Sequence, residues 1–248
     1  MTLFDFFKDH PRVALAFSGG VDSAYLLYAS MKAGAQVKAY YVKTPFQPIF
    51  ELEDARRLAV ELNAEMEILE ADPLEDPNIS KNSGDRCYHC KKVILSHILS
   101  AARRDGFEII LDGTNASDDA SDRPGMRALA EMRVLSPLRL CGLTKDRIRA
   151  LSREAGLFTW DKPAYACLAT RIPIGTAITR DMLTATEQAE AALTRMGLRD
   201  FRVRWLNGAA RLQVTKAQLP LVLEQRHAIL EALKPYYTWV LLDLEERP

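Results

Sequence analysis

A glycine turn between an apolar run and a helix-like run is the first segment that could do chemistry. Residues 18–23 read SGGVDS, after the apolar residues 13–17 and before a helical pattern that continues to Met31. Glycines let the backbone take left-handed angles and approach a ligand, and the N–H groups of a first helical turn attract negative charge. The segment therefore predicts a phosphate cradle. The alternative is a plain turn in which Asp22 or Ser23 only caps the helix.

This loop is not of the kinase type, because it lacks the G-x-x-x-x-G-K-[ST] pattern and contains no lysine. Its pattern, S-G-G-x-D-S, resembles the PP-loop of the ATP pyrophosphatases, which grip the β and γ phosphates of ATP and cleave between α and β. The resemblance implies that an adenylylated substrate and pyrophosphate are the products.

Composition limits the class of protein. A chain of 248 residues can bury roughly 70% of its extended surface without disulfides. Lys plus Arg equal Asp plus Glu at 33 each, so no overall field recruits nucleic acid or a membrane. No apolar run approaches the ~18 residues of a membrane span, and residues 1–9 lack the apolar core of a signal peptide. We expect a cytoplasmic protein whose four cysteines are thiols, metal ligands or reactive groups.

Alternating strand and helix patterns predict an α/β fold with a parallel sheet and right-handed crossovers. The strand-like runs are 13–17, 36–42, 65–69 and 108–111, with 134–138 as a candidate fifth, and the helical runs are 22–31, 51–62, 87–102, 126–132 and 144–156. Residues 71–85, rich in Asp, Pro, Asn and Gly, predict a loop that is mobile until a ligand binds. Nucleotide is expected at the carboxyl ends of the strands.

Residues 179–248 change pattern and predict a smaller α+β domain. The helical runs are 182–196 and 220–233, and the strand-like runs are 202–206, 210–214 and 238–244. Asn207-Gly208 between two of these strands is a hairpin signal. We therefore predict two domains, 1–178 and 179–248.

Polar residues also follow the fourth predicted strand. Asp112-Gly113-Thr114-Asn115 places a glycine turn and small polar groups where a ligand contact is expected. The alternative is a turn with an Asx cap. Residues 115–125 continue as a polar loop.

The cysteines offer a second kind of chemistry. Cys87 and Cys90 stand three residues apart at the predicted start of a helix, which favours thiolate. Such a pair alone fits a redox site, half of a zinc site or part of an iron–sulfur site. With Cys167 as a third thiolate, one iron of a 4Fe-4S cluster would stay open to an exogenous ligand. Cys141 is expected to be a buried small apolar side chain, and His89 a surface histidine.

Five segments taken in order resemble the LarE family: SGGVDS at 18–23, DRCYHCK at 85–91, DGTN at 112–115, CLATRIP at 167–173 and FRVR at 201–204. The match spans most of the chain. Members of this family are sulfur transferases in the making of the nickel-pincer nucleotide cofactor of lactate racemase. The resemblance implies that ATP and Mg²⁺ serve to adenylylate the carboxylates of pyridinium-3,5-biscarboxylic acid mononucleotide, which then become thiocarboxylates.

The resemblance also implies a set of site residues. The implied catalytic residues are Cys167, Asp22 and Glu190. The implied ATP-binding residues are Ser18, Gly19, Gly20, Val21, Asp22, Ser23, Val42, Gly113 and Asn115. Arg171, Arg202 and Arg204 are candidate ligands of the substrate phosphate, because guanidinium groups offer paired donors; the alternative for the last two is a solvated strand face. Gln213 departs from the family pattern, which often has Glu there.

Two sulfur sources occur in that family. In one form a single cysteine, matching Cys167, gives up its sulfur and becomes dehydroalanine. In the other form that cysteine joins a C-x-x-C pair to hold a 4Fe-4S cluster, which carries the sulfide. The presence of Cys87, Cys90 and Cys167 favours the cluster form. The implied partners are the mononucleotide, a sulfide donor and further copies of the chain, in a homo-oligomer that by resemblance is a hexamer.

Three rival functions remain at this point. A PP-loop tRNA thiolase with a three-cysteine cluster needs a basic RNA-binding face, which the neutral charge does not favour. An ammonia-using amidotransferase would leave the cysteines without a task. A nucleotide-binding protein with a structural metal site would not be an enzyme at all.

Overall fold

The computed structural model describes residues 1–118 and 124–245. The chain forms two compact units: unit 1 comprises Met1–Pro73 and Asp85–Ala164, and unit 2 comprises Leu74–Gly84 and Tyr165–Pro248. The division into domains 1–178 and 179–248 stays a prediction. Residues 119–123, part of the predicted polar loop, lie outside the described residues.

Helices and strands alternate from Leu3 to Glu70. As far as Ser80 they are α1 (Leu3–Asp9), β1 (Arg12–Ala16), α2 (Val21–Lys32), β2 (Gln36–Lys43), α3 (Ile49–Leu62), β3 (Glu65–Glu70) and α4 (Pro77–Ser80). The next are α5 (Arg86–Arg104), β4 (Ile110–Leu111), α6 (Pro124–Glu131), α7 (Pro137–Leu140) and α8 (Lys145–Glu154). The last are α9 (Arg180–Arg195), β5 (Arg202–Leu206), β6 (Ala209–Gln213), α10 (Leu219–Glu224), α11 (Arg226–Leu233) and β7 (Val240–Leu242).

Unit 1 is built on a four-stranded parallel sheet of order β3-β2-β1-β4. Alternate residues of β1 serve opposite faces, as the pleat of a strand requires. Val13 and Leu15 are buried with residues of α2 and α3, and Ala14 is buried with Leu95 and Ile98 of α5. This confirms the predicted α/β class with helices on both faces of a parallel sheet.

The fifth strand predicted at residues 134–138 is wrong. Leu135 makes a single parallel bridge to Leu111, and the chain then enters α7 at Pro137. Proline has no N–H to extend a ladder, and its fixed φ suits the first residue of a helix.

The mobile loop predicted at residues 71–85 is also wrong. It contains a 3₁₀ turn, Pro73–Glu75, and helix α4. Within unit 2, Ile79 is buried, and the Asn82 amide donates to the carbonyl oxygens of Ile172, at 3.3 Å, and Pro173, at 2.8 Å. Buried apolar and polar contacts of this kind fix a segment whose composition alone suggests a loop.

Unit 2 has a three-stranded sheet of order β5-β6-β7. The first pair is an antiparallel hairpin, turned by Asn207 at φ 50° and Gly208 at φ 85°. Positive φ at both positions is what a tight type I′ turn requires, so the predicted hairpin is confirmed. The predicted helix 220–233 is two helices, because Gln225 leaves helical geometry and its amide donates to the Met196 carbonyl at 3.3 Å.

Candidate active site

The glycine loop lies between β1 and α2, as predicted. Gly19 has φ 71°, and a Cβ there would stand 3.1 Å from Cβ of Ala55 in α3. For both reasons, any residue with a Cβ would cost free energy at this position. The loop backbone at Gly19 therefore takes a conformation that favours glycine and lies close against α3.

Hydroxyl groups brace the loop from inside. Ser18 and Ser23 Oγ lie 3.1 Å apart, and Ser23 Oγ also donates to the Gly20 carbonyl at 3.2 Å. Gly20 is the N-cap of α2 and supplies no side-chain cap. The first-turn N–H groups of α2 therefore point at the loop without a capping side chain, which suits an anionic ligand.

Asp22 carries the negative charge of this loop. Its Oδ2 accepts from the Lys145 ammonium at 2.6 Å, while its Oδ1 is buried and has no hydrogen-bond partner among the described residues. Burial raises the pKa of Asp22, and the Lys145 hydrogen bond only partly opposes this. A half-buried carboxylate with one oxygen still unbonded is a fitting ligand for Mg²⁺, which prefers carboxylate oxygens.

Two neighbouring strands end beside the loop. Gly113, after β4, approaches α2 so closely that a Cβ on it would lie 2.9 Å from the Ser23 nitrogen. Val42, near the end of β2, is buried. Asn115 is buried and its Oδ1 accepts from the Ser117 N–H at 2.8 Å. Because parallel strands end at the same edge, the nucleotide-binding residues predicted in three segments share one edge of the sheet.

Asp112 is a residue whose role sequence reasoning did not specify. Its carboxylate accepts from the hydroxyl groups of Thr114 and Ser136, both at 2.6 Å, and lies 3.6 Å from the Lys91 ammonium. These bonds order the 112–115 turn, and the Thr114 N–H also donates to Asp112 Oδ1 at 3.3 Å, which is the Asx-type contact of the alternative interpretation. Asp112 was part of the predicted turn, but nothing in the sequence around Ser136 or Lys91 indicated that these residues contact it.

The cysteine pair lies in the first turns of α5 in unit 1, where it was predicted. Cys87 is exposed and Cys90 half-buried. The turn is held by Tyr88, whose hydroxyl donates to Glu131 Oε2 of α6 at 2.7 Å and whose ring stacks under the Arg127 guanidinium at 3.8 Å. His89 is half-buried. Cys141 packs against the apolar core of unit 1, where burial raises the pKa of its thiol.

In unit 2, Arg171 and Glu190 form a buried two-pronged ion pair. Arg171 is 1% exposed. Its Nε and Nη2 donate to Glu190 Oε1 and Oε2 at 2.9 and 3.0 Å. Burial alone would lower the pKa of Arg171, but the hydrogen bonds and charge of Glu190 outweigh it and raise that pKa. The same carboxylate also accepts from the Val203 N–H at 2.9 Å and from the Tyr165 hydroxyl at 2.5 Å.

The third nitrogen of Arg171 reaches the segment that carries Cys167. Arg171 Nη1 donates to the Ala166 carbonyl at 2.7 Å and to the Cys167 carbonyl at 3.4 Å. Thr170 adds a hydroxyl bond to the same Cys167 carbonyl at 2.8 Å. Cys167 is half-buried and precedes a 3₁₀ turn, Leu168–Arg171. Arg171, predicted as a phosphate ligand, has its donors engaged within unit 2.

Arg202 and Arg204 stand on β5 close to this pair. The Arg202 guanidinium lies 5.2 Å from the Tyr165 ring centroid and donates to the Phe201 carbonyl at 2.6 Å. Arg204 donates to the Thr170 carbonyl at 3.0 Å and to Gln213 Oε1. Burial, and next the charge of Arg171, lower the pKa of both arginines. Clustered, partly desolvated guanidinium groups favour an anionic ligand.

Gln213, the departure from the family pattern, has a clear structural task. Its Oε1 accepts from Arg204, and its Nε2 donates to Asp243 Oδ2 at 2.7 Å. A carboxylate cannot donate, so Gln213 links the arginine and the aspartate in a way that Glu would not.

The described residues contain no group of three or more His, Cys, Asp or Glu side chains that could hold a metal ion. All four cysteines are thiols. Cys87 and Cys90 belong to unit 1 and Cys167 to unit 2, so a metal site made of these three thiols stays a prediction. Across residues 1–118 and 124–245, no helix has the length and apolar character to span a bilayer.

Comparison with known proteins identifies the family. No protein-family model matches the chain. It is 33% identical over 220 residues to the pyridinium-3,5-bisthiocarboxylic acid mononucleotide synthase of Lactiplantibacillus plantarum, covering 88% of this chain and 80% of that protein. It is 32% identical over 248 residues to an uncharacterized protein of Synechocystis sp., covering 98% and 92%. It is also 25% identical over 188 residues to the tRNA-specific 2-thiouridylase MnmA of Thermotoga petrophila, covering 59% and 52%.

These relatives confirm three predictions: the fold class, the enzymatic nature of the protein and its family. The thiouridylase identifies the parallel sheet as that of a PP-loop ATP pyrophosphatase. The named relatives are a synthase and a thiouridylase, so the non-enzymatic alternative is wrong. This chain belongs to the LarE family of sulfur-transferring PP-loop enzymes.

Proposed function

We propose that this enzyme uses ATP and Mg²⁺ to adenylylate the carboxylates of pyridinium-3,5-biscarboxylic acid mononucleotide and then replaces oxygen by sulfur, giving thiocarboxylates. The observation that carries the proposal is the likeness to a synthase of the bisthiocarboxylic acid mononucleotide over 88% of the chain. Both proposed substrates are anions. The glycine loop of unit 1 offers N–H donors for the phosphates of ATP, and Arg202 and Arg204 of unit 2 offer cations for the phosphate of the mononucleotide.

The first step needs positioning and charge neutralisation more than covalent help. A substrate carboxylate oxygen bonds to the α phosphorus while the bond to the β phosphate breaks, and pyrophosphate leaves. The loop N–H groups at the start of α2 support the phosphate oxygens. Asp22 offers the half-satisfied carboxylate for Mg²⁺, whose chemistry is to spread the charge of the polyphosphate. Val42, Gly113 and Asn115 complete the predicted nucleotide site.

The second step uses the residues of unit 2. A sulfur nucleophile bonds to the activated acyl carbon, and AMP leaves with the electron pair of the broken C–O bond. Arg202 and Arg204 are the proposed ligands of the substrate phosphate. Arg171 and Glu190 instead position the segment of Cys167, because Arg171 bonds the carbonyl groups of Ala166 and Cys167 while Glu190 holds its other donors.

For the sulfur source we propose a 4Fe-4S cluster held by Cys87, Cys90 and Cys167. When bound, such a cluster presents an open iron that carries exogenous sulfide. The support is the donor set: an exposed and a half-buried thiol one helical turn apart, and a third thiol on a segment fixed by buried bonds. The same proposal includes a donor that supplies sulfide to the cluster. It also includes a homo-oligomer of the chain, which by resemblance is a hexamer.

The test of the reaction is pyrophosphate release with ATP, Mg²⁺ and the pyridinium dicarboxylate mononucleotide, with mass spectrometry of the product. We expect release that depends on the mononucleotide, and a product in which sulfur replaces oxygen when sulfide is present. Release without any mononucleotide dependence would contradict the substrate assignment. The Arg204→Met variant should raise the KM for the mononucleotide more than it lowers kcat.

The test of the sulfur source is iron and sulfide content after anaerobic reconstitution, with Cys141→Ala as the matched control for loss of a thiol. We expect iron in the wild type and in the control, and its loss in the Cys167→Ala variant. A wild-type chain that binds no iron and becomes lighter by the mass of H₂S during one turnover would instead make Cys167 a sacrificed donor.

A tRNA substrate is the second candidate, favoured by the likeness to the thiouridylase MnmA. That likeness covers 59% of this chain, against 88% for the mononucleotide synthase. Sulfur incorporation into tRNA, with none into the mononucleotide, would reverse the choice.

A further inference from the structure

The tertiary structure brings a lysine to a loop that has none in its own sequence. The Lys145 ammonium lies 2.6 Å from Asp22 Oδ2 although the two residues are 123 positions apart. Kinase-type phosphate loops carry their lysine within the loop motif. In this protein the ammonium reaches the loop from the first residue of α8.

The backbone of Lys145 is fixed, whereas its side chain is long and flexible. Thr144 caps α8 with its hydroxyl, and the Lys145 N–H donates to Ser117 Oγ at 3.0 Å. The Ala116 N–H donates to the Leu143 carbonyl at 2.8 Å. The start of α8 is therefore tied to the segment that follows Gly113, and the half-buried ammonium can move within the reach of its four-carbon stem.

The ion pair does not satisfy Asp22. Its Oδ1 is buried without a hydrogen-bond partner among the described residues. The charge of Asp118 raises the pKa of Asp22, and the charge of Arg149 lowers it. Oδ1 is therefore an open acceptor for Mg²⁺, which prefers carboxylate oxygens.

We propose that Lys145 is the phosphate-binding cation of this loop: Asp22 holds its ammonium until Mg²⁺ takes the carboxylate, and the ammonium then binds the polyphosphate of ATP. The inference rests on the proposed use of ATP. It adds a residue that contacts the substrate, and it exchanges one ion pair for two, with no covalent change. An ammonium beside the β and γ phosphates also stabilises the pyrophosphate that leaves.

The experiment is isothermal titration calorimetry of the protein in the presence of Mg²⁺. One titration uses α,β-methylene-ATP, an analogue that cannot be cleaved at the α–β bond, and a separate titration uses AMP. The Lys145→Met variant should bind the analogue about 10-fold to 100-fold more weakly than the wild type, the range expected for loss of a charged hydrogen bond. Its affinity for AMP, which has no β or γ phosphate, should stay within about twofold. Lys145→Arg should restore part of the loss because it keeps the charge.

Lys162→Met is the matched control, since Lys162 also forms an ion pair of 2.6 Å within unit 1, with Asp54. It should bind both nucleotides as the wild type does. Equal weakening of the analogue and of AMP in Lys145→Met would overturn the inference, because the lysine would then only support the loop. Unchanged binding of both would overturn it as well. A wild type that binds neither nucleotide would instead refute the proposed use of ATP.

Discussion

The carboxylates of Asp22 and Glu190 are both shielded from solvent, and they differ in how many hydrogen bonds they accept. Glu190 in unit 2 accepts from Arg171, Tyr165 and Val203 with both oxygens. Asp22 in unit 1 has one oxygen on Lys145 and the other without a hydrogen-bond partner among the described residues. All of the hydrogen bonds of Glu190 are made within unit 2, whereas one oxygen of Asp22 is left for the ligand that we propose.

This difference separates positioning residues from binding residues. Leaving a buried polar atom unsatisfied costs free energy, so such an atom persists where a ligand completes it. A fully bonded buried ion pair, by contrast, fixes the chain around it. We therefore expect changes at Glu190 to act on stability and changes at Asp22 to act on nucleotide binding.

The largest effect on stability is expected for Glu190→Ala. It leaves the Arg171 guanidinium buried and unpaired, and we expect the free energy of unfolding to fall by about 3–5 kcal/mol. Urea denaturation followed by circular dichroism measures it. Glu231→Ala, at an exposed position of α11, is the control. If the free energy of unfolding falls no further than in the control, Glu190 does not stabilise the fold as we expect.

A smaller effect is expected for Gly113→Ala. The added Cβ would lie 2.9 Å from the backbone nitrogen of Ser23, so β4 and α2 must shift apart, at a cost of about 1–3 kcal/mol. Nucleotide affinity should fall as well, because the shift opens the edge where the loop lies. Gly84→Ala is the control, since a Cβ there has no neighbour within 4 Å and φ is not positive. Equal unfolding midpoints in the two variants would contradict the close approach.

The smallest effect on stability, opposite in sign, is expected for Asp22→Asn. Burial raises the pKa of Asp22 above its ordinary value of 3.8, so the ionised carboxylate costs more free energy in the folded protein than in the unfolded chain. The stabilising protonated form is fully present below pH 3.8 and is lost as pH rises through the folded pKa. Asn should therefore raise the melting temperature at pH 7 but not below pH 3.8, while Mg²⁺-dependent nucleotide binding falls. A lower melting temperature at pH 7 would mean that the Lys145 ion pair outweighs burial.

Most of unit 1 could be predicted from the sequence because its signals are local. The apolar runs and helical spacing placed β1, β2, β3 and their helices within one or two residues. The signals failed where distant contacts overrode composition. Residues 71–85 were expected to form a loop that is mobile until a ligand binds, but they contain α4 and make buried contacts within unit 2. The run at 134–138 looked like a strand, but Pro137 starts a helix there.

The candidate site divides in the same way. The glycine loop, the 112–115 turn, the hairpin and the cysteine pair were readable in the sequence, because each depends on backbone angles or spacing within a few residues. Only the tertiary structure decided that Lys145 reaches Asp22 and that Glu190 engages Arg171 beside the Cys167 segment. The physical reason is that these are ion pairs between distant residues, and packing of whole elements, rather than local sequence, determines which charges meet.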